Sequence, residues 1–156
     1  MSRKHSFILT LSNNITEKEG VNYIIENHTG FFKIDLSTKK ELLDLLEISP
    51  KFLQSFDLIY IPDMVDKIIS SNYIQTYLED IILVELKTTK KYLPENPKGF
   101  FFGATENEFN FGELLGEKFR FCFVCLNEKS PSISLLTIPE LEKRIRNKRI
   151  QFQINL

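Results

Sequence analysis

Glu85 and Lys87 stand two residues apart at the end of the apolar segment DIILVELK, residues 80–87. Side chains two apart on a β-strand project from the same face, so this carboxylate and this ammonium would lie side by side while Leu86 points the other way. Charges at the end of a buried strand are costly unless they pair or bind an ion. The spacing therefore predicts either an ion pair or part of a metal site.

Hydrolysis of a phosphodiester needs hard oxygen ligands for Mg²⁺, a positive group near the attacking water or the phosphate, and a second carboxylate that fixes the metal. Asp57 is the predicted second carboxylate, because it begins the strand-like segment FDLIYI (residues 56–61) that is best placed to pair with residues 80–87. The backbone carbonyl of Leu86 is a further candidate ligand. Asp63 is the rival of Asp57, although it follows the strand and resembles a helix N-cap.

This pattern resembles the PD-(D/E)xK nuclease superfamily, in which an acidic residue on one strand precedes an E-x-K on the next. Glu85 and Lys87 match the E-x-K, and Thr88 and Thr89 extend the likeness to E-x-K-T-T. The resemblance implies a restriction endonuclease-like fold in the mixed α/β (α+β) class, with a central mixed sheet flanked by helices. It also implies Mg²⁺, replaceable by Mn²⁺, as the cofactor and DNA as the substrate.

The downstream segments GFFFGATENEFNF, FRFCFV and LLTIPELEKRI resemble a nuclease-related domain family, in which the E-x-K-T-T strand leads to an F-x-x-T-x-N-E helix start, a hairpin and a final helix. The likeness covers residues 57–156. It implies that Glu108 approaches the site or the substrate, and that a first-helix glutamate, here Glu19, assists the metal. The chain departs from the family pattern where Phe56, not proline, precedes Asp57.

Several of these residues also have a purely structural explanation. An E-x-K can be a salt bridge at a strand end, which contributes little to stability. Glu108 follows Thr105, and Glu19 follows Thr16, in the T-x-x-E pattern of a helix capping box. The lysines just beyond the predicted site either contact phosphates or form a solvated face; they are Lys90, Lys91 and Lys98.

The elements that would position these residues alternate between strands and helices. Strands are predicted at residues 6–11, 56–61, 80–87, 119–126, 132–136 and 150–154, and residues 99–104 are either a strand or an extended segment. Helices are predicted after the N-caps Thr16, Thr38, Asp63, Thr105 and Thr137. We expect one domain over residues 1–156, with an N-terminal strand and helices in residues 1–50 and the site-bearing core in residues 57–156.

Composition narrows the function classes. A net charge of −1 argues against a protein that coats nucleic acid non-specifically, and no apolar run is long enough for a membrane span or a signal peptide, so we expect a cytoplasmic protein. Cys122 and Cys125 are three apart on a predicted strand, so they face opposite sides and stay reduced.

Together these patterns predict a Mg²⁺-dependent DNA endonuclease, in restriction or defence, whose cleavage of both strands would require a homodimer. The alternative is a non-catalytic module on the same fold that binds DNA or a protein.

Overall fold

A five-stranded mixed sheet forms the centre of the computed structural model, which describes residues 2–66, 72–152 and 154–156, with side chains from residue 15 onward. Its strands are β1 (Phe31–Lys33), β2 (Leu58–Tyr60), β3 (Ile82–Thr89), β4 (Phe119–Cys125) and β5 (Ser132–Leu136). They neighbour one another in chain order, and all pairs are antiparallel except β3 with β4, which is parallel. The predicted mixed α/β class with a mixed sheet is thus confirmed.

Helices cover both faces of this sheet. They are α1 (Ser2–Asn27), α2 (Leu36–Leu45), α3 (Tyr73–Thr76), α4 (Glu106–Leu115) and α5 (Ile138–Glu142). Helix α1 packs through Ile24 on the face that carries Leu86 and Cys122, whereas α2, α4 and α5 enclose the larger, phenylalanine-rich cluster on the other face. Among the helices described, none has the length and apolar character to cross a membrane.

Strand β3 lies centrally because its side chains are apolar on both faces, as predicted. The β4–β5 hairpin is also confirmed. Thr105 and Thr137 cap α4 and α5 with reciprocal capping boxes, each closed by a glutamate at the third helical position. Cys122 and Cys125 are buried, free thiols, and only Cys122 belongs to the cluster beneath α1.

The first prediction that fails is the N-terminal strand. Residues 6–11 belong to α1. Thr16 consequently lies inside this helix and is not its N-cap, and the helix ends at Asn27, shortly before Gly30. A short apolar run such as SFILTL fits a strand or a buried helix equally well, and the longer helix is formed here.

Two predicted N-caps are also wrong. Helix α2 begins after Asp35, whose Oδ1 accepts the Thr38 backbone N–H at 2.7 Å, so an acidic cap one turn earlier replaces Thr38. Asp63 has φ +63° in a turn, and residues 61–66 are not helical. Residues 67–71, where the predicted helix would continue, lie outside the described part of the chain.

The predicted strand over residues 150–154 is not formed either. Residues 150–152 and 154 are irregular, and residue 153 is outside the description. Gly99 ends a turn with φ +84°, and residues 100–104 are irregular and do not join the sheet, so no strand forms over residues 99–104. Phe100 and Phe102 pack edge-on against Phe123.

Candidate functional site

Strand β3 projects Glu85 and Lys87 from one face, as their spacing predicts. The Lys87 Nζ lies 2.9 Å from Glu85 Oε1, and the two side chains are only 13% and 8% exposed. Leu86 points to the opposite face and packs beneath α1. The pair is therefore largely shielded from water, which strengthens its electrostatic interaction.

Glu108 completes the surroundings of the Lys87 ammonium from α4. Both of its carboxylate oxygens lie 3.2 Å from Lys87 Nζ. The same carboxylate accepts the Thr105 backbone N–H at 2.8 Å, so the capping box that starts α4 also fixes the position of Glu108. The helix-cap and site explanations of Glu108 are therefore not exclusive.

Asp57 meets β3 at the start of β2. Its backbone N–H donates to the Val84 carbonyl at 2.8 Å, so Asp57 lies beside the part of β3 that carries Glu85. Its Oδ2 accepts the Leu86 backbone N–H at 2.8 Å. Asp63 follows the other end of β2, which pairs with the start of β3. Of the two candidate aspartates, the structure brings Asp57 to Glu85.

The first helix contributes a glutamate, but it is Glu17 and not the predicted Glu19. The Glu17 carboxyl group lies close enough to the Asp57 carboxylate for Asp57 to raise the pKa of Glu17, in addition to the effect of burial. Glu19 pairs instead with Lys90 at 2.7 Å on the exposed surface. Two helical positions differ by about 200° around the axis. The sequence does not reveal how α1 is rotated about its own axis, so it could not show that Glu17 rather than Glu19 faces Asp57.

Gly20 sets how closely α1 approaches β3. A Cβ atom built there would lie 2.1 Å from Thr88 Oγ1 and 3.0 Å from Leu86 Cδ2. Only a residue without a side chain fits this crossing without displacing a neighbour. Because Glu17 lies one turn before Gly20, this close contact lets its carboxyl group reach Asp57.

Lys39, on α2, is a second lysine that sequence reasoning missed. Its Nζ donates a hydrogen bond to the Phe56 carbonyl at 2.6 Å and lies 4.8 Å from the centre of the Phe56 ring. Burial lowers the pKa of Lys39, and the nearby carboxylates of Asp57, Glu85 and Glu17 oppose that change. No motif marks this residue, since a lysine on a helix is ordinarily solvated.

The side chains described above form one group in which carboxyl groups outnumber ammonium groups. Four carboxyl groups, from Glu17, Asp57, Glu85 and Glu108, surround two ammonium groups, from Lys39 and Lys87. This set is called the acidic cluster below.

Burial raises the pKa of Glu85 strongly, and Asp57 and Glu108 add to the rise while Lys87 opposes it. Partial burial and the Asp57 carboxylate also raise the pKa of Glu17. Burial alone would lower the pKa of Lys87, but Glu85 and Glu108 outweigh it, and the pKa is raised. The cluster therefore favours bound protons or a bound cation.

Comparison with protein-family models, with curated proteins and with solved structures found no match in any of the three. What the site can do must therefore be argued from its own geometry.

The acidic cluster is not a preassembled ligand set. Within the described residues, no three His, Cys, Asp or Glu side chains converge as metal ligands. One atom nevertheless lacks a partner: Glu85 Oε2 is buried and accepts no hydrogen bond from the described chain. Hard oxygens with an orphaned acceptor among them suit a cation such as Mg²⁺.

The remaining predicted site residues surround the strand end without joining the acidic cluster. Thr88 Oγ1 is buried beside Gly20, and Thr89 Oγ1 accepts the Lys91 backbone N–H at 3.2 Å. In the described part of the chain, Lys98 forms its ion pair with Glu95, at 2.9 Å. Substrate contacts by these residues, and a metal bond from the Leu86 carbonyl, stay predictions.

Proposed function

We propose that this chain is a Mg²⁺-dependent endonuclease that hydrolyses DNA phosphodiester bonds. The observation that supports this most is the pair of hydrogen bonds that hold Asp57 to Val84 and Leu86, the two neighbours of Glu85, with Lys87 on the same face as Glu85. An acid on one strand beside an E-x-K on the next is the pattern that resembles the PD-(D/E)xK superfamily. The restriction endonuclease-like fold is proposed on the same ground.

Asp57 and Glu85 are the residues that would hold the metal, with the Leu86 carbonyl as a further oxygen and Glu17 as an assisting carboxylate. When bound, Mg²⁺ or Mn²⁺ would polarise the phosphate and lower the pKa of a coordinated water. The fit rests on oxygen donors, on the unpartnered Glu85 Oε2, and on excess negative charge that a divalent cation would neutralise. Glu17 matches the accessory glutamate that the first helix supplies in some superfamily members.

Lys87 would act as a fixed positive charge. Glu85 and Glu108 raise its pKa and hold its ammonium from two sides, so it stays protonated at neutral pH. A protonated lysine can orient the attacking water and stabilise negative charge on the phosphoryl oxygens. Lys39 lies on the α2 side of the acidic cluster and supplies a second positive charge there.

Nicking of supercoiled plasmid in Mg²⁺ or Mn²⁺ tests the proposal. We expect Lys87→Ala to lower the nicking rate by about 10²-fold or more, the scale of losing one charge-stabilising group. Lys40→Ala is the matched control, because Lys40 is exposed on α2, outside the acidic cluster and the predicted substrate contacts, and it should keep at least half of the rate. Wild-type protein that does not nick, or equal nicking by Lys87→Ala, would refute the proposed activity.

The second candidate is a non-catalytic module that binds DNA or a protein. Two observations favour it. Lys39 and Lys87 already neutralise part of the acidic cluster. In addition, no metal-ligand set is preassembled among the described residues. Binding of a labelled DNA duplex in Mg²⁺, with the duplex recovered intact, would support this candidate. A restriction or defence role and a cytoplasmic location remain predictions of the sequence.

A further inference from the structure

The C-terminal residues 150–156, called the tail below, alternate between apolar and polar side chains in the sequence IQFQINL. Ile150 and Phe152 are each 80% exposed, Ile154 is 77% exposed and Leu156 is fully exposed. Strict alternation is the pattern of a β-strand with one apolar face. The tail therefore has the sequence pattern of a β-strand, although it pairs with no strand among the described residues.

Of the two edge strands of the sheet, β1 and β5, it is β5 that could receive the tail as a further strand. β5 is outermost and pairs only with β4. Its five residues, SISLL, carry no charge, whereas the opposite edge strand β1 has three residues and ends in Lys33. Edge strands are usually protected by charges, proline or short length, because their free backbone groups attract further strands. β5 has no charge or proline along its length.

The tail and β5 have matching patterns. Ile133 and Leu135 are half-buried and face the α1 side of the sheet, while Ser132 and Ser134 alternate with them. A tail strand beside β5 would place its apolar residues next to Ile133 and Leu135 and its amides next to the serines. Like pairs across neighbouring strands each contribute roughly 0.2–1 kcal/mol. We propose that the tail of one chain pairs with β5 of a second copy, giving a reciprocal two-fold dimer.

The position of the residues just before the tail favours pairing with β5 of a second copy over pairing with β5 of the same chain. Lys148 Nζ lies 5.0 Å from the centre of the Phe109 ring on α4. Phe109 packs on the phenylalanine-rich face, and Ile133 and Leu135 lie on the opposite face. The residues just before the tail are thus held across the sheet from the apolar surface that the tail would cover.

The area fits a stable dimer. Phe152 would bury roughly 150–250 Å² and each aliphatic side chain of the tail roughly 60–120 Å². Two exchanged tails with their β5 counterparts would bury on the order of 1,300–2,400 Å², against about 1,200–2,000 Å² in stable protein interfaces. A closed two-fold exchange pairs both tails and covers the free edge of both β5 strands.

Sedimentation velocity on the whole chain tests the dimer, which does not depend on the proposed nuclease activity. We expect wild type to sediment as a dimer at about 50 μM, and the double variant Ile150→Asp, Phe152→Asp to be monomeric with at least a tenfold weaker association. Gln151→Asp, on the polar side of the tail, is the matched control and should remain dimeric. Because the substituted side chains are exposed, the monomer should keep the wild-type circular dichroism spectrum.

A cross-link identifies the partner surface. Oxidation of the double variant Phe152→Cys, Leu135→Cys should give a disulfide-linked dimer on non-reducing gels. If the register of the pairing differs by two residues, the double variant Phe152→Cys, Ile133→Cys should give that dimer instead. Cys122 and Cys125 are buried and should not react. Monomeric wild type, a dimer that survives the aspartate pair, or cross-links confined to single chains would each overturn the proposal.

Discussion

Lys87 and Lys90 lie three residues apart at the end of β3, and each meets a glutamate, but in opposite environments. Lys87 is 13% exposed and lies between Glu85 and Glu108, which belong to a strand and a helix cap. Lys90 is 57% exposed and meets Glu19, itself 44% exposed. The ion pairs differ little in length and greatly in their access to water.

The difference shows that burial, not residue type, decides what such a pair can do. Water screens the Glu19–Lys90 pair, so it contributes about 0–1 kcal/mol. Around Lys87 the same charges interact in a less polar medium, where each depends on the others for compensation. In the buried group the pKa values of Glu85 and Lys87 are raised and Glu85 Oε2 is unsatisfied, which are properties expected of a functional site.

The largest expected effect separates the two lysines directly. Lys87→Met removes the ammonium that compensates the buried Glu108 carboxylate and donates to Glu85, so we expect the free energy of unfolding at pH 7 to fall by about 3–5 kcal/mol. Lys90→Met should change it by less than about 1 kcal/mol. Urea denaturation of both variants measures the contrast, and equal losses would show that the two environments do not differ as described.

A smaller effect concerns α1, which carries both Glu17 and Glu19. Gly20→Ala places a methyl group against Thr88, and we expect overpacking to cost about 1–3 kcal/mol, more than the helix propensity gained from alanine. Thr88→Ala in the same chain should restore most of the loss, which thermal or urea denaturation can measure. If Gly20→Ala alone is stabilising, α1 does not need its close contact with β3.

The third effect depends on pH. Folded Glu85 keeps its proton to higher pH than the unfolded chain does, so the folded state binds more protons and wild type loses stability as pH rises above the usual glutamate range. Glu85→Gln removes this loss. Its advantage over wild type should grow by up to about 1.4 kcal/mol per pH unit. Urea titrations at pH 5, 6.5 and 8 measure this, and parallel curves would contradict the raised pKa.

The sequence predicted best where one local pattern determines the outcome. The apolar run of β3 and the period of two placed Glu85 and Lys87 on one face, and this holds whatever surrounds the strand. The T-x-x-E pattern located the caps of α4 and α5. At Thr16 the same pattern misled, because helical residues before it continue α1 through the predicted cap.

Contacts between distant elements could not be predicted in this way. Glu17 reaches Asp57 because Gly20 fixes the distance of α1 from β3, and Lys39 approaches the same group from α2, where it also donates to the Phe56 carbonyl. Both facts depend on how helices pack on the sheet. Neither is encoded in the spacing of a short motif.

Asp57 has a structural role in addition to its proposed place in the site. Its carboxylate accepts the Leu86 N–H beyond the end of the β2–β3 pairing, taking the role that a backbone carbonyl has within that pairing. Replacement by alanine would leave a buried amide unsatisfied, whereas asparagine could still accept this bond. This structural role favours a hydrogen-bond acceptor at position 57 whether or not the chain catalyses a reaction, so an intact Asp57 alone does not distinguish an active chain from an inactive one.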